Sequence, residues 1–251
     1  MKDKAYKKYL KEADNWLHSG RSLLLENCLN LFSPNESGKD GSLRILEVGA
    51  GSGRNIPILS RYGNVDAIEI EPLAIQQLTE NPQLKKLYTD RVPFSLNGKY
   101  HVICSMDFLE HVEDDGAVFQ WMVNHLHPGG LIFVTVPAYP WLFSFHDTAL
   151  GHYRRYTTDG LCSLAGSNIN LQKKGYFNCT LFPLVAVIRL LSRLVPDRSD
   201  TDEKQSSNVP PIINGILSCI LRVESSFIRK HSLFPFGLTA FAVFRKDQET
   251  K

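Results

Sequence analysis

Short apolar runs recur along the chain at Arg44–Val48, Val65–Ile70, Leu84–Tyr88, Tyr100–Ser105 and Leu131–Val136, separated by segments with helical spacing. Runs of that length fit strands buried on both faces, and their alternation with helices predicts a mostly parallel sheet covered on both sides. Two further strand candidates, Leu171–Asn178 and Leu238–Phe244, follow later. Before the first strand, apolar positions within residues 4–32, among them Trp16, Leu17, Leu24 and Cys28, approximate a helical period. Between the last two strands lie two amphipathic stretches, Leu181–Val195 and Ile212–Ile228, joined by the polar run 196–209, which offers little to bury. The expected organisation is a helical extension over 1–42, a core formed by 43–179 and 237–251, and a helical insertion or cap over 180–236.

Composition narrows the class without choosing a partner. The 251 residues include 43% hydrophobic and 22% charged, an ordinary globular balance. A formal charge of +2 demands no nucleic acid. Lys4, Lys7, Lys8 and Lys11 lie near one helical face and read as solvated. Five scattered cysteines with no CxxC pair fit reduced thiols in a cytosol. Arg189 and Arg193 interrupt the longest apolar stretch, which is too short to span a bilayer. The expected location is cytoplasmic, with a peripheral membrane contact left open; oligomeric state is not legible.

The segment ILEVGAGSGRNIP places Gly49, Ala50, Gly51 and Gly53 at a strand end ahead of a helical stretch. Glycines there permit a tight turn and a close approach of backbone to ligand. A dinucleotide fingerprint would need glycine where the chain has Arg54. The spacing is instead GxGxG, with Glu47 two residues ahead of the first glycine. This resembles the class I S-adenosylmethionine-dependent methyltransferases, whose fold is a seven-stranded Rossmann-like α/β sheet with an antiparallel last strand. The resemblance implies S-adenosyl-L-methionine as cofactor and Glu69, with Ile70 beside it, as the acid that receives the ribose hydroxyls, since a carboxylate can accept from both hydroxyls of a diol. It likewise assigns Asp90 to the adenine side and Met106, Asp107, Phe108 and His111 to the cofactor wall. His101 departs from the family pattern, in which an acid is common at the start of the fourth strand.

After the fifth strand comes PAYPWLFSFHDTALGHYRRYT, which should lie at the carboxyl edge of the sheet, where ligands bind in open α/β folds. It resembles a methyltransferase type 11 group with an HDxxxGHxRRYT-like loop, whose members tend to carry a Trp and an Arg near the N-terminus, here Trp16 and Arg21. The expected acceptor-side residues are Trp16, Arg21, Tyr139, Arg154, Arg155 and Tyr156. The sulfonium methyl is already activated, so the enzyme must align a nucleophile and, for a hydroxyl, remove a proton. His146, followed at once by Asp147, is the first candidate base and His152 the second. Arg154 and Arg155 suit an anionic group. His111, His125 and His127 show no metal-ligand framework, so no metal is expected. Together these features point to methyl transfer to an oxygen, less readily a nitrogen or carbon, of a small or lipid-linked anionic acceptor. The competing reading is a non-catalytic cofactor-binding or membrane-surface protein on the same fold.

Overall fold

The computed structural model describes residues 16–32, 43–192, 211–229 and 234–248. The lysine face and the polar run 196–209 lie outside the described residues. The elements, in chain order, are α1 (Trp16–Phe32), β1 (Leu43–Val48), α2 (Ile56–Leu59), β2 (Gly63–Ile68), α3 (Pro72–Thr79), β3 (Leu84–Tyr88) and β4 (Tyr100–Met106). They continue with α4 (Asp115–Asn124), β5 (Leu126–Pro137), α5 (Phe145–Ala149), α6 (Thr158–Cys162), β6 (Ile169–Phe177), α7 (Phe182–Ser192), α8 (Pro211–Arg229) and β7 (Thr239–Lys246).

The strands form one sheet in the order β3-β2-β1-β4-β5-β7-β6. The pairs from β3 to β5 are parallel, and β7 runs antiparallel to both β5 and β6. Each apolar run therefore became a strand within a few residues of its predicted ends. The period of two along the strands builds two cores. Leu46, Val48, Ile103, Ile132, Val134 and Ala242 face one side. Ile45, Val65, Ala67, Val102, Cys104 and Phe133 face the other.

The first core is closed by α4 through Val118, Phe119, Met122 and Val123. The second is closed by α1 through Leu24, Leu25, Cys28 and Leu29, and by α8 through Leu221 and Ile228. The helix α8 buries the stripe Leu221, Glu224, Ser225 and Ile228, spaced to lie on one face, and packs directly on α1. Asn27 Nδ2 donates to the Ser225 carbonyl at 3.1 Å, and Glu224 receives the Cys179 N–H at 2.8 Å. Both sheet edges carry lysines, exposed Lys85 and Lys86 on β3 and half-buried Lys173 and Lys174 on β6. Charged edges of this kind oppose further strand pairing.

His101, the departure from the family pattern, has a structural use: its Nδ1 accepts the Arg44 N–H at 2.9 Å and its ring stacks on His127 at 4.5 Å. The ring nitrogens of His125 lie 2.8 Å from the Trp121 carbonyl and 3.2 Å from that of Leu96. All four contacts knit the end of the sheet opposite the carboxyl edge.

Candidate active site

Three consecutive strand ends, those of β1, β2 and β4, converge at the carboxyl edge of the sheet. The loop after β1 turns sharply at Gly49 (φ +73°), Gly51 (φ +54°) and Gly53 (φ +75°), a region that residues with a Cβ rarely adopt. At Gly49 there is a second constraint. A Cβ there would sit 2.3 Å from Cδ2 of Phe108, so glycine is what allows the loop after β4 to close over the loop after β1.

Glu69 fastens the loop from the other side. Its Oε2 accepts the Gly51 N–H at 2.7 Å, and its Oε1 accepts those of Ile70 at 2.7 Å and Glu71 at 2.9 Å. A carboxylate offers about four acceptor sites, so one remains for a ligand hydroxyl. Ile70 lies exposed at the rim. Glu47 is buried, with Oε1 receiving the Asn55 amide at 2.8 Å and Oε2 lacking a partner. Burial pushes its carboxyl up to about 7 against the downward pull of Asn55, and the charge of Glu69 adds to the rise. Asn55 is itself positioned by Ser22 Oγ at 2.9 Å, which links α1 to the glycine loop.

At the end of β4, Asp107 occupies positive φ (+51°), an uncommon conformation for a residue with a side chain. Its Oδ2 forms a 2.7 Å ion pair with Arg21 of α1. These groups surround an open cleft lined by Arg21, Glu47, Gly49, Ala50, Met106 and Asp107. Arg21, expected on the acceptor side, thus lies in the cleft because α1 crosses the strand ends there. Four buried polar atoms of the cleft have no partner among the described residues: Glu47 Oε2, Ser52 Oγ, Arg21 Nε and Asp107 Oδ1. Buried groups left in that state call for a polar ligand. A mixed set of acids and an arginine fits a zwitterion, with the acids toward an ammonium and Arg21 toward a carboxylate, and Glu69 has one acceptor site left for a hydroxyl. Asp90 is exposed in the loop after β3.

The loop after β5 is organised around Asp147, whose side chain is fully buried. It closes the first turn of α5 through Ser144, and it receives Arg155 at 2.7 Å, Arg189 of α7 at 2.7 Å and His152 Nδ1 at 3.1 Å. Burial alone would raise its carboxyl; hydrogen bonds from His152 and Arg155 and the charges of Arg155 and Arg189 hold it well below the carboxylate range. Arg155 also donates to the Ala138 carbonyl at 3.1 Å. Arg154 donates to the Glu113 carbonyl at 2.6 Å and pairs with Asp115 at 2.6 Å. Tyr156 is buried, with its hydroxyl donating to Asp115 at 2.7 Å. Tyr139, at positive φ (+61°), stacks on Tyr176 at 4.9 Å and touches Trp141 and Phe182. Trp16 is half-buried against the second core, and its backbone N–H donates to Asn214 of α8 at 2.9 Å.

The two candidate histidines differ. His146 is exposed, and its proton affinity is lowered by desolvation and then by Arg189. His152 is held on Asp147, and its ring meets the edge of His111 at 4.6 Å. His111, expected along the cofactor, stands with His152, and burial pushes its imidazole down to about 4. Glu110 beside it is buried and held well above the carboxylate range by desolvation and by Asp107. Glu110 and His111 lie in the short turn Leu109–His111 that follows Asp107 at the end of β4, which sets the cluster beside the cleft. Sequence reasoning had not singled out Glu110, Asn55 or Arg189. An acid inside the apolar string FLEHV was the one visible signal for Glu110.

A glycine loop, a diol-type acid after β2 and a cleft over β1 and β4 on this strand order define a Rossmann-like methyltransferase domain. A sequence model described as a methyltransferase domain matches residues 16–174, and the chain belongs to that family. Among curated proteins it is similar to the ubiquinone biosynthesis O-methyltransferase of Colwellia psychrerythraea, 31% identical over 99 residues, 36% of this chain and 40% of that protein. A counterpart from Aeromonas salmonicida is 29% identical over 108 residues, 39% of this chain and 45% of its own length. The matches thus span less than half of either relative. Among solved structures, a putative sarcosine dimethylglycine methyltransferase from Galdieria sulphuraria superposes with a TM-score of 0.57 at 18% identity, over 92% of this chain and 86% of that one. The N-methyltransferase NodS from Bradyrhizobium japonicum WM9, solved with S-adenosyl-L-homocysteine, gives 0.51 at 14% identity over 89% and 83%. The cofactor of the family is S-adenosylmethionine, and the unpartnered groups of the cleft suit it.

Proposed function

We propose that the protein transfers the methyl group of S-adenosylmethionine to an oxygen of a small or lipid-linked acceptor. In this reading the proton leaves on the side of Glu110, His111 and His152. The observation that carries it is the adjacency of that cluster to the cofactor cleft at the end of β4. When bound, the cofactor supplies an activated methyl; Glu47, Glu69, Arg21 and Asp107 would hold it. Curated relatives named as O-methyltransferases favour oxygen. The geometry favours His152 over His146 for handling the proton, because only His152 is held by a carboxylate, which defines its tautomer. Arg154 and Arg155 are bound to Asp115, Asp147 and backbone carbonyls, so the anionic character expected of the acceptor loses its support.

The division into core and cap belongs to the same reading. Helix α7 reaches Leu142, Ser144 and Asp147 through Arg189, and Phe182 covers Tyr139. That cover supports an acceptor pocket between the loop after β5 and the insertion.

Incubation with S-adenosylmethionine carrying a labelled methyl and total cellular metabolite and lipid extracts tests the reading. Label should enter an extractable product, and His152→Ala should slow transfer roughly 10²–10⁴-fold with cofactor binding retained. Undiminished transfer by His152→Ala would remove that residue, and the same result for His146→Ala would remove the other.

A second reading has its own observation. Leu184, Val187, Ile188 and Leu191 of α7 and Ile212, Ile216, Val223 and Phe227 of α8 are exposed apolar side chains. Such helices suit contact with a lipid surface or a lipid-linked acceptor. No helix among the described residues is long and apolar enough to cross a membrane. Co-sedimentation with anionic vesicles tests it, and absence of binding would retire it.

A further inference from the structure

The short helical turn after β4 and the loop after β5 bring together Glu110, His111 and His152, with one potential ligand atom from each lying within 4.8 Å of the others. Each side chain is already arranged for ligation. Glu110 is 1% exposed, and its Oε2 is buried without a hydrogen-bond partner among the described residues. A buried carboxyl oxygen in that position lacks the compensation that buried polar groups normally have. His152 uses Nδ1 toward Asp147 Oδ1 at 3.1 Å, which leaves Nε2 for another purpose. His111 uses one ring nitrogen toward the Gly151 carbonyl, which leaves its other nitrogen. The two rings meet edge to face at 4.6 Å.

An outer partner on each histidine, a carboxylate on one and a carbonyl on the other, is the arrangement that fixes ring orientation and tautomer at metal centres. Two backbone bonds brace the set: Tyr153 N–H to the Glu110 carbonyl at 2.7 Å and His152 N–H to the Asp147 carbonyl at 2.9 Å. Asp147 is balanced by Arg155 and Arg189, so its charge does not compete for the ion.

We propose that Glu110, His111 and His152 bind one divalent transition-metal ion, of the zinc or manganese kind, beside the cofactor cleft. The inference rests on the methyl-transfer reading only for its purpose, not for the binding itself. Two imidazoles and one carboxylate suit first-row transition metals better than magnesium, which favours all-oxygen shells. Metal–ligand bonds of about 2.0–2.2 Å place tetrahedral ligand atoms roughly 3.4 Å apart, so the site contracts slightly on loading.

Three protein ligands leave at least one position open, as in catalytic rather than structural centres. A cation there would make an acceptor hydroxyl easier to deprotonate, the proton passing to solvent. The oxygen would then bond to the methyl carbon as the carbon–sulfur bond breaks, with the electron pair staying on sulfur. His152 would act there as a ligand while its Nδ1–H donates to Asp147, and the proton-handling role given to His152 above would pass to the open ligand position.

Tag-free protein stripped with a chelator is titrated with zinc chloride by calorimetry, and with cobalt(II) by visible absorption to report coordination. One equivalent should bind, with a cobalt spectrum of four- or five-coordinate type. Glu110→Gln and His111→Ala should each weaken binding at least tenfold, and Asp147→Asn should weaken it 10–100-fold through His152. S-adenosylmethionine binding, measured on the same samples, reports folding and the cofactor reading separately. His111→Ala is the safeguard against misfolding because His111 is exposed. Absence of stoichiometric binding in the wild-type protein, or binding equally tight in Glu110→Gln and His111→Ala, overturns the proposal. Either result leaves the methyltransferase reading intact if the cofactor still binds.

Discussion

Glu47→Gln is the substitution whose effect the structure specifies most fully. The wild-type carboxyl is buried, accepts one hydrogen bond from Asn55 and has one bare oxygen, and burial carries it from an ordinary 4.5 to about 7. A carboxyl raised in the folded state holds a proton that the unfolded chain has already released. Folding stability is therefore at its fullest below about pH 4.5 and is lost as pH rises through about 7. A shift of that size corresponds to about 3 kcal/mol. Glutamine keeps the acceptor for Asn55 and cannot ionise.

Urea unfolding of the cofactor-free protein between pH 4.5 and 8 should show the wild type losing about 3 kcal/mol relative to Glu47→Gln, mostly between pH 5 and 7. The cofactor's ammonium should favour the ionised form, so binding near pH 6 should release a fraction of a proton, read by calorimetry in buffers of different ionisation enthalpy. A stability difference independent of pH would refute the assignment of the buried, half-bonded carboxyl.

Gly49→Ala forces a Cβ into positive φ and to within 2.3 Å of Phe108, so it should destabilise the fold by about 1–3 kcal/mol and abolish detectable cofactor binding; thermal unfolding and calorimetry check both. Glu69→Ala should weaken S-adenosylmethionine by roughly 1.5–3 kcal/mol, and unchanged affinity in a folded variant would remove Glu69 from the site. Asp147→Asn removes the anion that three cationic or donor side chains share, and should lower stability by about 3–5 kcal/mol in chemical denaturation; a loss below about 1 kcal/mol would show that Arg155 and Arg189 find other partners.

What could be read along the chain was whatever depends on neighbouring residues. The seven strands were legible because burial on both faces of a sheet demands a short apolar run, and such runs need no knowledge of their partners. The tight turn at Gly49 and Gly51 and the acid Glu69 beside it were legible for a related reason: positive φ and an acid at a strand end are local requirements. The helical stripes of α1 and α8 were visible as periodicity, but not their contact with each other, since their descriptions are separated by the whole sheet.

The tertiary structure alone decided how the charges of the loop after β5 are used. Its composition suggested a base and an anion clamp, yet Asp147 is consumed by Arg155, His152 and an arginine from α7, and Arg154 is bound to Asp115. Arg189 stands 42 residues from Asp147, a separation at which sequence spacing carries no information about contact. The same holds for Glu110, His111 and His152. The first two are neighbours at the end of β4, the third arrives after β5, and only the parallel pairing of those strands brings them together. Residue types announce what chemistry a chain can perform, whereas burial and hydrogen bonds among distant segments determine which of those groups remain available to perform it.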